Sequence, residues 1–179
     1  MALTAQTHKK TLTSLPVVAA DESDITRFRS EALAAHNECR AKHHAPPLTL
    51  SADLNDYAQN WANHLAKTGK LAHSDCKMNG EVLGENVAYK WASGGPGADM
   101  TGKDATQMWY AEIKDYKSYA DASSASSNTG HFTQVVWKST KQLGMGKAKT
   151  SDGKVFVVGS YRPPGNYVGM YKENVLPPK

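Results

Sequence analysis

A chain of 179 residues, 40% hydrophobic and 21% charged, is long enough for one domain whose core needs no covalent staples, and its composition is that of an ordinary soluble globular protein. The net charge of +4 and pI near 9.0 are mildly basic, which weakly favours anionic membranes or polyanions, although nucleic acid is not an expected partner. No run is apolar for long enough to cross a bilayer, and no P-loop or dinucleotide fingerprint occurs, so those nucleotide-binding classes are excluded.

Residues 1–20 read as a flexible arm ahead of a domain over 21–179. The arm carries Lys9 and Lys10 and no acid, and Thr13, Ser14 and Pro16 interrupt its apolar part, which makes a poor signal-peptide core. Ala2 stands where an N-myristoylation motif requires glycine. Ser23 or Asp24 can cap a first helix, in which Ile25, Phe28, Ala32, Ala35 and Cys39 recur at helical spacing until Pro46 and Pro47 stop it. Ser51 can cap a second, with Leu54, Tyr57, Ala58, Trp61 and Leu65 on its apolar face and Gly69 at its end. Residues 71–91 read as irregular, and Gly94, Gly95 and Gly97 around Pro96 as a loop. A third helix is predicted to start within 101–104 and to carry Met108, Trp109, Ile113 and Tyr116. A small, polar loop over 118–130 follows, then strands over 132–137, 143–149 and 154–161, the last two joined by a hairpin turn at Ser151-Asp152-Gly153. Early helices and late antiparallel strands give an α+β domain, with helices packed on a sheet.

The chemistry-bearing residues begin with His131, which opens the run GHFTQVVWKST (residues 130–140) at the mouth of a predicted strand, where a ligand can reach its imidazole. His73, Glu85 and Glu112 lie at element edges or on a helix face. With His131 they supply two imidazoles and two carboxylates, the usual donors for zinc and similar divalent ions. The residues alone leave a second reading open, in which Glu112 is a solvated helix residue and His73 a loop histidine. His36 falls among core positions of the first helix and reads as a hydrogen-bonded packing residue; His43 and His44 close that helix near its negative dipole end. Ser74 and Ser93 lack the strand-turn-helix elbow that exposes an activated hydroxyl. Cys39 and Cys76 fall in no CxxC or other metal spacing and read as two reduced thiols, which suits a reducing compartment, as does the absence of an Asn-x-Ser/Thr acceptor.

Beyond these readings, GHFTQVVWKSTKQLGMGKA (130–148) resembles the first signature of the CAP superfamily (cysteine-rich secretory, antigen 5, pathogenesis-related 1), and VVGSYRPPGNYVG (157–169) is similar to the second. AHNECR (35–40), LAHSDC (71–76), GENVA (84–88) and WYAEIKDY (109–116) match further landmarks in order, and within the superfamily the chain most resembles the Golgi-associated plant pathogenesis-related subgroup. The resemblance implies an α-β-α sandwich with a central antiparallel sheet between helical layers. It also implies a cavity in which His73 and His131 bind a divalent metal, zinc foremost, while Glu85 and Glu112 orient or assist them. The expected function is then that of a non-enzymatic protein associating with anionic phospholipid or sterol at Golgi or other endomembranes from the cytosol, with a homodimer as a further assembly. The alternatives are a metal-dependent hydrolase using the same cavity, with Glu85 or Glu112 as general base, and a secreted defence or immune-modulating protein.

Overall fold

Two long helices form where the capping residues predict them. The first, α1, spans Glu22–Lys42. Its cap is Asp21, two positions ahead of Ser23, the first residue at which it was sought, and its carboxylate accepts from the Ser23 backbone N–H at 3.3 Å and the Ser23 hydroxyl at 2.8 Å. Glu22 and Asp24 in the first turn and Arg40 and Lys42 in the last complement the helix dipole. The second, α2, spans Ala52–Thr68 and ends at Gly69, whose φ of 69° and N–H bond to the Leu65 carbonyl close it in the left-handed conformation. The computed structural model describes residues 14–19, 21–93, 98–117, 119–121 and 128–179 of the chain.

The sheet has the order β1-β6-β7-β5, built from β1 (Val17–Val18), β5 (Gly84–Trp91), β6 (Gln142–Thr150) and β7 (Lys154–Arg162), each antiparallel to its neighbour. A short strand β2 (Thr49–Leu50) adds to β6 in parallel. Strand alternation divides the core into two layers. Val87, Ala148, Phe156 and Val158 pack against Ala58, Ala62, Leu65 and Ala66 of α2. On the other face Ala88, Leu143, Met145, Val155, Val157 and Tyr161 meet α1, α3 (Gly102–Tyr110) and α4 (Gly130–Val136). The result is the α-β-α sandwich expected.

Four local expectations are corrected. Residues 132–137 form no strand: 132–136 lie in α4, where Phe132, Val135 and Val136 are all fully buried, and Trp137 caps its end. A short segment buried all round loses helical periodicity, so its valines and tryptophan read as strand. Residues 71–91 are not irregular, since they hold a small hairpin, β3 (Lys77–Met78) with β4 (Glu81–Val82), and then all of β5. Glu85 and Lys90 mask the alternation of β5, an edge strand. The third helix stops at Tyr110 and tightens into a 3₁₀ turn over Ala111–Asp115. Lastly, the arm over 1–20 ends in structure, because Val17 and Val18 pair with Thr150 and Lys149 of β6; residues 1–13 and 20 lie outside the described residues. The glycine cluster at 94–97 and positions 118 and 122–127 of the polar loop lie outside them too.

One side chain ties these layers together. Arg40, fully buried at the end of α1, donates from Nε to the Pro46 carbonyl (2.8 Å), from Nη1 to the carbonyls of Val135 (3.1 Å) and Trp137 (2.8 Å), and from Nη2 to that of Thr140 (2.9 Å). The last three belong to the end of α4 and the turn after it, where helix carbonyls lack intrahelical partners. Arg40 therefore fixes the segment that presents His131. Burial lowers its pKa to about 10, still far above neutrality.

Candidate metal centre

Glu85 is the second residue of β5 and pairs with Ser160 of β7, which fixes its backbone in the sheet. Only 1% of its side chain is exposed. A carboxylate so placed needs partners, and it has three hydrogen bonds: His73 Nδ1 (2.8 Å) and the Ser74 backbone N–H (2.9 Å) to Oε1, and the Ser74 hydroxyl (2.5 Å) to Oε2. An ionised carboxylate only accepts, so His73 Nδ1 and the Ser74 hydroxyl are the donors. Nε2 is then the free-facing nitrogen of the His73 ring. The hydrogen bond to Glu85 favours the imidazolium and, against partial burial, holds the His73 pKa above the ordinary 6.5.

The loop carrying His73 is pinned from several sides. The Tyr57 hydroxyl of α2 lies 2.8 Å from Ser74 Oγ, and the Leu83 N–H donates to the Cys76 carbonyl at 2.8 Å. Asn79 and Gly80, with φ of 52° and 81°, make the two-residue turn of the β3–β4 hairpin. Cys76 also has a positive φ, 53°, uncommon for a residue with a side chain.

Glu112 sits in the 3₁₀ turn after α3 and accepts from His131 Nδ1 with both carboxylate oxygens, at 3.0 and 3.1 Å. His131 is the second residue of α4, and its ring stacks on Trp109 with centroids 6.4 Å apart. The His131 carbonyl accepts from Asn86 Nδ2 at 3.1 Å, and the same nitrogen reaches the Tyr161 hydroxyl at 3.2 Å. Successive residues of β5 thus serve the two histidines from opposite faces: Glu85 toward α2 and His73, Asn86 toward α4 and His131.

The four residues singled out from sequence therefore stand as two His–Glu dyads flanking one edge strand. In each, a carboxylate holds Nδ1–H and leaves Nε2, the arrangement that orients imidazole ligands in metal sites. The donor set suits zinc, which takes imidazole nitrogen and carboxylate oxygen readily. Among the described residues, His73, Cys76 and Glu85 form a set of three metal-competent ligands whose donor atoms all lie within 4.8 Å of one another, and His131 and Glu112 stand outside it. Sequence reasoning missed Cys76 because it sought CxxC pairs; the spacing His73-x-x-Cys76 was the available signal. Burial, and then the neighbouring Glu85 charge, push the Cys76 thiol pKa up.

Two further histidines, His36 and His43, are structural. His36, fully buried, bonds the Ala32 carbonyl and the Tyr161 hydroxyl, each at 2.8 Å, and burial lowers its pKa to about 4. His43 is buried between the Leu176 carbonyl and the Tyr110 hydroxyl, and its lowered pKa makes it a packing group and not the dipole-compensating cation expected at a helix end. Cys39 and Cys76 are both free thiols. A groove of about 350 Å³ lined by Tyr57, Asn60, Trp61, His64, Ser74 and Asp75 runs along α2 to the His73 loop. A larger one, about 670 Å³, lies between α2 and β1 and contains no residue of either dyad.

The sequence model of the cysteine-rich secretory protein family, CAP, matches residues 33–161. Golgi-associated plant pathogenesis-related protein 1 of Homo sapiens is 49% identical over 160 residues, covering 88% of this chain and 98% of its own. Among solved structures, BmVAL-1 shares the fold with a TM-score of 0.67 at 21% identity, over 86% of this chain and 83% of its own. NaASP2, solved with Zn2+, gives 0.63 at 20% identity, over 89% and 87%. The match runs from the second half of α1 into β7, including both dyads and β5, and the chain belongs to the CAP family.

Proposed function

We propose that this CAP domain binds a divalent metal, zinc foremost, through His73 and His131, with Glu85 and Glu112 orienting the two rings, and that it serves as a non-enzymatic, peripheral membrane protein. The observation that carries the metal reading is the repeated dyad: each imidazole has Nδ1 engaged by a glutamate. A buried Glu85 stapled by Ser74 gives His73 little freedom to reorient, which lowers the cost of ligation. NaASP2, a relative of the same fold, is solved with Zn2+, which adds support. Zinc held there would supply a Lewis-acid centre. In a His73→Ala, His131→Ala double variant, zinc affinity measured by competition with a chromophoric chelator is expected to fall by more than about 100-fold, since loss even of orienting groups costs 10–100-fold. Unchanged affinity would remove both histidines from the site.

The membrane reading rests on charge and on exposed apolar side chains. The chain carries +4, and Tyr167, Val168 and Met170 stand out from the segment ahead of α5 (Tyr171–Asn174), Val168 with 80% of its surface exposed. Among the described residues no helix is long and apolar enough to cross a membrane, so attachment would be at the surface. Vesicles containing phosphatidylinositol or phosphatidic acid are expected to float with the protein at low salt and to release it as salt rises, because a charge-driven contact is screened within about 8 Å at physiological ionic strength. Protein that stays out of the vesicle fraction even at low salt refutes this part. The human relative's name places that protein at the Golgi, which favours an endomembrane location for this one.

A further inference from the structure

We infer that the site is not purely nitrogen and oxygen: Cys76 supplies a thiolate as a third protein ligand beside His73 and Glu85, making a thiophilic metal site on the α2 side of β5. The inference rests on the reading of the His73–Glu85 dyad as metal-binding. It alters that reading by turning Glu85 from an orienting group into a ligand, and it does not involve His131.

The geometry supports this at three points. The donor atoms of His73, Cys76 and Glu85 already lie within 4.8 Å of one another. A zinc ion with Zn–S near 2.3 Å and Zn–N near 2.0 Å sets ligand–ligand edges of roughly 3.3–3.8 Å, so the set needs to tighten by at most about 1.5 Å. A side-chain rotation covers that distance. The thiol's contacts with Ser74 Oγ and the Ser74 carbonyl are long, both at 3.7 Å, and its other side-chain partner is Glu85, itself a ligand of the set. The backbone, in contrast, is fixed: the Cys76 N–H donates to Ser74 Oγ at 3.0 Å and its carbonyl accepts from Leu83. Cys76 is thus held in its left-handed conformation by the serine that also binds Glu85. One hydroxyl organises the carboxylate and the cysteine together.

The ligand chemistry follows from the donor set. Imidazole, thiolate and carboxylate select zinc, cobalt or cadmium over magnesium and calcium, which want oxygen alone. Three protein ligands leave a fourth tetrahedral position open. Binding releases the Cys76 thiol proton to solvent, and no redox change is involved.

Cobalt(II) distinguishes sulfur ligation directly. The reduced, full-length protein titrated with cobalt is expected to develop the intense near-ultraviolet sulfur-to-cobalt charge-transfer band. The band should vanish in Cys76→Ala and persist in Cys39→Ala and in His131→Ala. Zinc affinity should fall at least about tenfold in Cys76→Ala, the loss seen when even an orienting group is removed. In the unmodified protein, zinc but not magnesium should slow alkylation of Cys76, identified by peptide mapping, which keeps the test independent of how any variant folds. Cobalt bound without the band, a band that survives Cys76→Ala, or alkylation indifferent to zinc overturns the inference. The two site readings separate cleanly. Affinity lost in His131→Ala but retained in Cys76→Ala leaves the two-histidine site standing and the sulfur site refuted, and the reverse outcome does the opposite.

Discussion

Replacing Arg40 by alanine is expected to lower the unfolding free energy by about 4 kcal/mol or more, read as a shift of the urea midpoint, placing it among the exceptional substitutions that break a buried polar network. The side chain is fully buried and satisfies four backbone carbonyls at 2.8–3.1 Å. Each buried acceptor left without a partner costs roughly 1–3 kcal/mol, and alanine takes the guanidinium from the carbonyls of Pro46, Val135 and Thr140 around a void, while that of Trp137 keeps the Thr140 N–H at 3.1 Å. Arg40→Lys should recover little, because an ammonium cannot reproduce the planar fork that reaches Pro46 on one side and Val135, Trp137 and Thr140 on the other. Arg27 provides the control. Its 2.7 Å pair with Asp24 leaves the two side chains 71% and 54% exposed, and Arg27→Ala should move stability by no more than about 0.5 kcal/mol. A similar small change for Arg40→Ala would mean that the carbonyls find water and that the guanidinium does not hold α4. If it does hold α4, even folded Arg40→Lys protein should bind zinc more weakly at His131, since the run from 130 to 140 loses its anchor.

Arg40 also shows why the fold was more legible than the contacts that fix it. Helices α1 and α2 could be read from Ser51, Gly69 and the periodic residues of each, because caps and amphipathic spacing are local signals, although α1 is capped by Asp21 and not by Ser23 or Asp24. The β6–β7 hairpin was legible for the same reason: Ser151, Asp152 and Gly153, the last with φ 87°, spell the turn between two apolar runs. Helix α4 was not, because a seven-residue helix held by carbonyl contacts from a residue about 95 positions away has no local signature. Strand β5 was hidden by the residues that make it useful. Glu85 and Asn86 disrupt its apolar alternation, and their side chains are the ones that reach His73 and the His131 carbonyl. The landmark motifs singled out His73, Glu85, Glu112 and His131, but not which imidazole each carboxylate holds, since those pairings join residues 12 and 19 positions apart. Cys76 stayed outside that set because CxxC spacing was sought and the mixed spacing His73-x-x-Cys76 was passed over, while its positive φ is not announced by residue type.

Gly144→Ala is the second substitution expected to be severe, at about 3 kcal/mol or more, within the range for overpacking where the backbone itself must shift. A Cβ at this position would overlap the carbonyl carbon and oxygen of Leu54, and one at Gly146 would overlap those of Ala58, so α2 lies directly on the bare backbone of β6. This closeness has a purpose in the edge of β6. Between its short pairings with β2 and β1, the Met145 and Lys147 N–H groups have no strand beside them. Asn55 Oδ1 accepts from Met145 N at 2.9 Å, Gln59 Oε1 accepts from Lys147 N at 3.1 Å, and Gln59 Nε2 donates to the Lys147 carbonyl at 2.8 Å. On the helix these residues are four apart and on the strand two apart, so one helical turn matches one strand repeat. An open strand edge would otherwise be a template for pairing with another chain. A methyl group at Gly144 lifts α2 away, breaks the Asn55 bond and loosens the Gln59 pair, so destabilisation should be accompanied by faster exchange of the Met145 and Lys147 amides. Gly130→Ala separates this from a generic glycine effect. Its Cβ would meet only Asn166 Nδ2, at 3.7 Å, and the exchange should be neutral or stabilising by up to about 1 kcal/mol. Equal, small effects at Gly144 and Gly130 would show that the helix can ride outward freely, and that Asn55 and Gln59 do not seal the edge.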